Sequence, residues 1–168
     1  MPAPLAFAVA SRRLADVLPR GQPWRLADSL GLVARLAEHV EALHQAGRTH
    51  RAIGIEAVTV AGPQSVQLDP PPAARRFGAD EADPEFCPPE LAGVDPLTLP
   101  ESIAAATQIL RRNGCSVDPR RIDVYQLGVL LCRLLTGKPL RAYLREPLIK
   151  VGISPVVRPI LDQALGYD

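Results

Sequence analysis

The side chains that could do chemistry are few, and most stand alone. His50 and Arg51 are adjacent, Asp69 opens an Asp-Pro-Pro run, Glu90 follows a Pro-Pro pair, and Asp123 is an isolated carboxylate in the apolar segment Ile122 to Thr136. Magnesium is usually held by one or two carboxylates together with substrate phosphates, so Asp69 by itself makes a poor metal site. It remains a residual candidate for helping to hold a metal or cofactor, with a turn-capping aspartate as the alternative. Residues 70–90 contain no Ser, Thr or Tyr, so nothing in that stretch can carry a phosphate. Cys87, Cys115 and Cys132 lack metal-ligand spacing and leave an odd thiol if two pair, which fits a reduced, cytosolic setting. A formal net charge of +1 gives no reason to expect nucleic acid or an anionic membrane as partner. No apolar run approaches the roughly 18 residues needed to span a bilayer.

The elements that must position these residues can be read from periodicity. The chain is 47% hydrophobic but only 4% aromatic, so one domain of 168 residues must build its core from Leu, Val, Ile and Ala. Leu5 to Val9 reads as a short buried strand, and Ser11 to Leu18 as a short helix. Leu32, Val33, Leu36, Val40 and Leu43 recur at helical spacing and predict a long helix over 28–46, capped by Asp28 or Ser29 and stopped by Gly47. Residues 57–61 and 65–68, separated by Gly62-Pro63, predict a small hairpin. Residues 70–100 show no period. A helix is expected over Glu101 to Arg112, with Pro100 at its first turn, and its apolar stripe Ile103, Ala106, Ile109, Leu110 must pack on this domain or on a partner. Residues 120–137 predict a buried central helix, apolar nearly all round, that Gly137 stops, and residues 154–166 a final one. A carboxylate such as Asp123 in that central helix requires full hydrogen bonding.

Four motifs, in one order, resemble the C-terminal lobe of eukaryotic-type serine/threonine protein kinases. LHQAGRTHRAIGIEAVTV (Leu43 to Val60) is similar to the catalytic-loop region, SVQLDPP (Ser65 to Pro71) falls where a DFG would stand, DPEFCPPEL (Asp83 to Leu91) resembles the end of an activation segment, and RRIDVYQLGVLLCRLLTGKPL (Arg120 to Leu140) resembles the helix at the centre of the large lobe. The resemblance implies a mainly α fold with one small hairpin, a single lobe over 1–168, and an N-terminal lobe absent from it, with residues 1–10 at the hinge. Residues 48–69 would be the catalytic loop and hairpin, 70–91 the activation segment, and 95–115 an inserted helix. Asp123 would brace the loop through its backbone, His50 would pack beneath it, Gly128 would match the central-helix motif, and Leu130 and Leu134 would floor the nucleotide cleft.

The same resemblance implies lost chemistry. Phosphoryl transfer needs a base, metal ligands and a lysine on the phosphates. Ala52 stands at the catalytic aspartate position, Gly54 at the loop lysine and Ala57 at the metal-binding asparagine. Arg51, which in the family meets a phosphate on the activation segment, would meet the acidic residues Asp80, Glu81 and Asp83, or these form only a solvated loop. Glu90 would lack its usual arginine. The expectation is a pseudokinase module that binds another protein or another domain, with no cofactor and no metal, cytoplasmic, and with Ile103, Ile109 and Leu110 as contact candidates. The alternative is a kinase fragment with displaced catalytic residues, needing an upper lobe from elsewhere to bind ATP.

Overall fold

A computed structural model describes residues 11–18, 21–62, 65–78 and 84–166; the strand expected at 5–9 and the acidic residues 80, 81 and 83 lie outside this set. In chain order the elements are β1 (Arg12–Arg13), α1 (Leu14–Val17), α2 (Leu26–Gln45), β2 (Val58–Gly62), β3 (Ser65–Leu68), β4 (Ala74–Phe77), a 3-10 turn (Pro84–Phe86), α3 (Pro89–Ala92), β5 (Leu97–Pro100), α4 (Ile103–Arg112), α5 (Pro119–Thr136), α6 (Leu140–Arg145), α7 (Pro147–Gly152) and α8 (Val157–Leu165).

The architecture is mixed α/β, 54% helical among the described residues, with five short strands in two antiparallel sheets. This corrects the expectation of a mainly α chain with one hairpin. The hairpin β2–β3 is there, with Val58 opposite Leu68 and Val60 opposite Val66, but β1 adds a third strand along β2. A second sheet pairs β4 with β5, Arg75 opposite Leu99 and Phe77 opposite Leu97. These strands are four residues long and lie in the region without a period. Their stability comes from a partner distant in the chain, which no local pattern announces.

Helix boundaries follow local chemistry. The long helix α2 starts at Leu26, before the expected caps; Ser29 is buried within it and its hydroxyl donates to the carbonyl of Arg25, 3.0 Å away. It ends at Gly47 (φ 73°), where the amides of Gly47 and Arg48 donate back to the carbonyls of His44 and Leu43, a Schellman closure. Pro100 ends β5 rather than opening a helix, and Ser102 caps α4 instead, its Oγ accepting from the Ala105 amide. Asp118 caps α5 in front of Pro119. The last helix begins at Val157, later than Ser154, whose carbonyl accepts from the amides of Val157 and Arg158.

Two apolar clusters organise the packing. The larger joins Leu32, Leu36 and Val40 of α2, Val58 and Val60 of β2, Leu161 and Leu165 of α8, and most of α5. The smaller joins Phe77, Leu97 and Leu99 of the second sheet with Leu91, Ala106 and Leu110, and takes Ile122 from the start of α5. Helix α5 therefore lies in both clusters, which explains why it is apolar nearly all round. Among the described residues no helix is long and apolar enough to cross a membrane.

Candidate functional site

The polar residues of the sequence converge where α5 meets the loop 48–57. Asp123 projects from the first turns of α5 and is fully buried. Its Oδ2 accepts from the backbone amide of His50 at 2.9 Å, and its Oδ1 from that of Arg51 at 2.5 Å. The His44 Nε2, from the end of α2, lies 2.9 Å from the same Oδ2. Gln126, one turn further along α5 and also buried, binds the loop on both its groups. Its Oε1 accepts from the Ile53 amide (2.9 Å), while its Nε2 donates to the carbonyls of Arg51 (3.0 Å) and Phe86 (3.1 Å). A buried carboxylate is tolerable only when satisfied in this manner.

His50 is buried beneath the loop. The Ala52 amide donates to its Nδ1 (3.2 Å), so Nδ1 is the acceptor and the proton sits on Nε2, which donates to the Asp69 carbonyl at 2.8 Å. Burial and the neighbouring Arg51 push its pKa down, while the Asp69 carbonyl and the Asp123 charge oppose them. Burial is the largest of these effects, and the ring is held neutral.

Arg51 is fully buried and holds φ 61°, a left-handed conformation uncommon for a residue with a Cβ. Its guanidinium is consumed by main-chain carbonyls: Nε donates to Thr49 (3.2 Å), Nη1 to Leu99 on β5, and Nη2 to Pro72. The segment ahead of β4 and the strand β5 are thereby tied to the loop. Backbone pairing reinforces the tie, since Thr49 N donates to Glu101 O (2.8 Å) and Glu101 N to Ala73 O (3.3 Å). Burial lowers the Arg51 pKa, and Asp123 and Glu101 counter that.

Several expected roles are relocated. The Asp69 side chain meets Arg13: its Oδ2 accepts from Arg13 Nη1 at 2.7 Å, both partners half exposed, a pair worth about 0–1 kcal/mol. Among the described residues no group of three or more His, Cys, Asp or Glu side chains could hold a metal. Glu90 is solvent-exposed, and the half-buried carboxylate of this region is Glu85, which pairs with Arg133 at 3.4 Å and accepts from the Leu140 amide. Ala52, Gly54 and Ala57 line an open groove of about 530 Å³ with Pro72, Phe86, Arg75 and Arg76, and among the described residues its one carboxylate is Glu56. Leu130 and Leu134 are fully buried in the larger cluster, and Gly128 faces Ala164 and Leu165 of α8.

Helix α4 turns inward. Leu110 is fully buried, Ile109 packs partly against the smaller cluster, and Ile103 is half-buried. Leu110 as a contact for a partner is therefore corrected; its burial beside Phe77 and Leu99 holds α4 onto its own domain. Sequence reasoning missed Gln126, Glu85 and His44. Gln126 carried a usable signal, being a second polar residue at i+3 from Asp123 in an otherwise apolar helix. The other two act through partners distant in the chain, and nothing local marks them. No protein-family model matches the chain, and no curated protein is significantly similar to it.

Proposed function

We infer that this chain is a catalytically inactive, protein-kinase-like module, a pseudokinase lobe that works by binding another protein or domain. The observation that carries the reading is the pairing of a retained brace with a stripped loop. Asp123 grips the amides of His50 and Arg51 and His50 grips the Asp69 carbonyl, a framework suited to holding a catalytic loop rigid. Along that loop, the groove wall presents Ala52, Gly54 and Ala57, which can neither accept a proton nor ligate a metal. Asp69 is committed to Arg13. Arg51, spent on three carbonyls, fits a segment set permanently in one position rather than switched by a phosphate.

The test is a thermal shift with Mg-ATP together with a phosphotransfer assay using labelled ATP and generic protein substrates. No change in melting temperature and no transfer are expected. A ligand at a hundred times its Kd would add about 2.7 kcal/mol of stability, so a clear rise in Tm, or any transfer abolished by Asp69→Asn, overturns the inactive reading.

A further inference from the structure

With α4 packed inward, the candidate contact surface lies elsewhere, at α6 and α7. A groove of about 450 Å³ runs between the 3-10 turn and α6, formed by Pro84, Tyr125, Pro139, Leu140 and Leu144 with Arg141 at its rim. Past the break at Glu146, α7 presents Leu148 and Val151, which are 85% and 72% exposed. Large aliphatic side chains this exposed, on the helix that follows the one walling an apolar groove, mark an interaction surface.

Charge identifies the occupant. Arg141 and Arg145 stand one turn apart on α6, both exposed, and neither has an acidic partner among the described residues. Glu146 pairs with Lys138 (3.4 Å), Lys150 lies over the Tyr143 ring, and Glu85 at the groove pairs with Arg133 and accepts from the Leu140 amide. Among the described residues the surplus beside the groove is therefore positive. A second copy on a two-fold axis would set these arginines against themselves. A bilayer surface cannot fill a concave groove, and Leu144, Leu148 and Val151 are aliphatic, unlike the aromatic residues that anchor proteins at membrane interfaces.

Resting on the reading of the chain as a binding module, we propose that this surface docks an acidic amphipathic helix of a partner protein. Its apolar face enters the groove and follows Leu144, Leu148 and Val151, and its carboxylates meet Arg141 and Arg145. The probe is a fluorescein-labelled 20-residue peptide with leucines at i, i+3, i+4 spacing and glutamates between, read by anisotropy against the same peptide with lysines for glutamates. The glutamate peptide binds and the lysine peptide does not. Leu148→Asp weakens binding roughly tenfold, as loss of a contact worth more than 1 kcal/mol does. The double variant Arg141→Glu/Arg145→Glu reverses the peptide preference. All three positions are exposed, so an unchanged circular dichroism melt shows that the variants are folded.

Equal binding of both peptides, no binding of either, or unchanged affinity in the variants overturns the proposal. So does co-sedimentation with phosphatidylcholine–phosphatidylserine vesicles, or self-association on ultracentrifugation, that the same variants abolish. Nucleotide binding would sink the inactive-kinase reading while leaving this peptide measurement intact, so the two fail separately.

Discussion

Asp123 carries the greatest energetic consequence of any single residue, because two buried backbone donors and the His44 ring depend on its two oxygens. Asp123→Ala leaves those donors unpaired away from water, and hydrogen bonds to charged groups are worth about 1.5–3 kcal/mol each. A loss of about 2–4 kcal/mol in urea unfolding is expected; a loss under 1 kcal/mol would show that the loop does not depend on the brace. His50 adds a pH dependence whose sign follows from its environment. Its folded pKa lies below the unfolded value near 6.5. As pH falls through 6.5 the unfolded chain takes up a proton that the folded chain refuses, so this contribution is complete above 6.5 and is lost on acidification. The urea midpoint should fall between pH 7 and pH 5.5, and His50→Gln should flatten that slope even though it lowers stability overall. An identical slope in the variant would remove His50 as the cause. Burial, with Glu85 nearby, pushes the Cys132 thiol up to about 12, and Cys87 is also buried, so a thiol reagent should label half-exposed Cys115 alone in the native state.

At the scale of elements, α5 decides the geometry, and close approach at two glycines sets where it can lie. A Cβ on Gly128 would come within 3.0 Å of the Ala164 Cβ and 3.3 Å of Leu165 Cδ2, so α5 and α8 touch there with no room for a side chain. Gly128→Val should cost about 1–3 kcal/mol by overpacking, and Ala164→Gly in the same chain should recover part of it. Additive losses in the double variant would mean that the two helices do not meet at that point. Gly137 closes α5 with φ 65° and passes within 2.6 Å of the Gln22 backbone, measured from where a Cβ would stand. That contact draws the chain ahead of α2 against the end of α5, where the Trp24 amide donates to the Leu134 carbonyl.

The whole molecule is two apolar clusters threaded on one helix. Because Ile122 lies in one and Leu127 to Leu134 in the other, unwinding α5 exposes both. A single cooperative transition is expected. The sole tryptophan, Trp24, belongs to the larger cluster, so its fluorescence reports that cluster while far-UV circular dichroism reports all the helices. Coincident urea curves are the expected result, and separated ones would show that the smaller cluster folds independently. The same arrangement also anchors the segment around β4. It is tied on one side to β5 and on the other, through Arg51, to the loop that α5 braces.

The sequence by itself determined the long helices and the hairpin, because each writes its own period: Leu32, Leu36 and Val40 along α2, the unbroken apolar run of α5, the alternation in Val58–Gly62 and Ser65–Leu68. It also marked Ala52, Gly54 and Ala57 as positions whose side chains lack reactive atoms in any conformation. Tertiary structure alone decided the partners. Whether Arg51 meets a phosphate, a carboxylate or a carbonyl depends on β5, more than 40 residues away, supplying Leu99 at the right height. That Asp69 meets Arg13, that Glu85 pairs with Arg133, and that the stripe of α4 faces Phe77 are likewise decided by contacts between distant segments. Local propensity acts over a few residues, whereas burial and charge pairing are properties of the assembled surface.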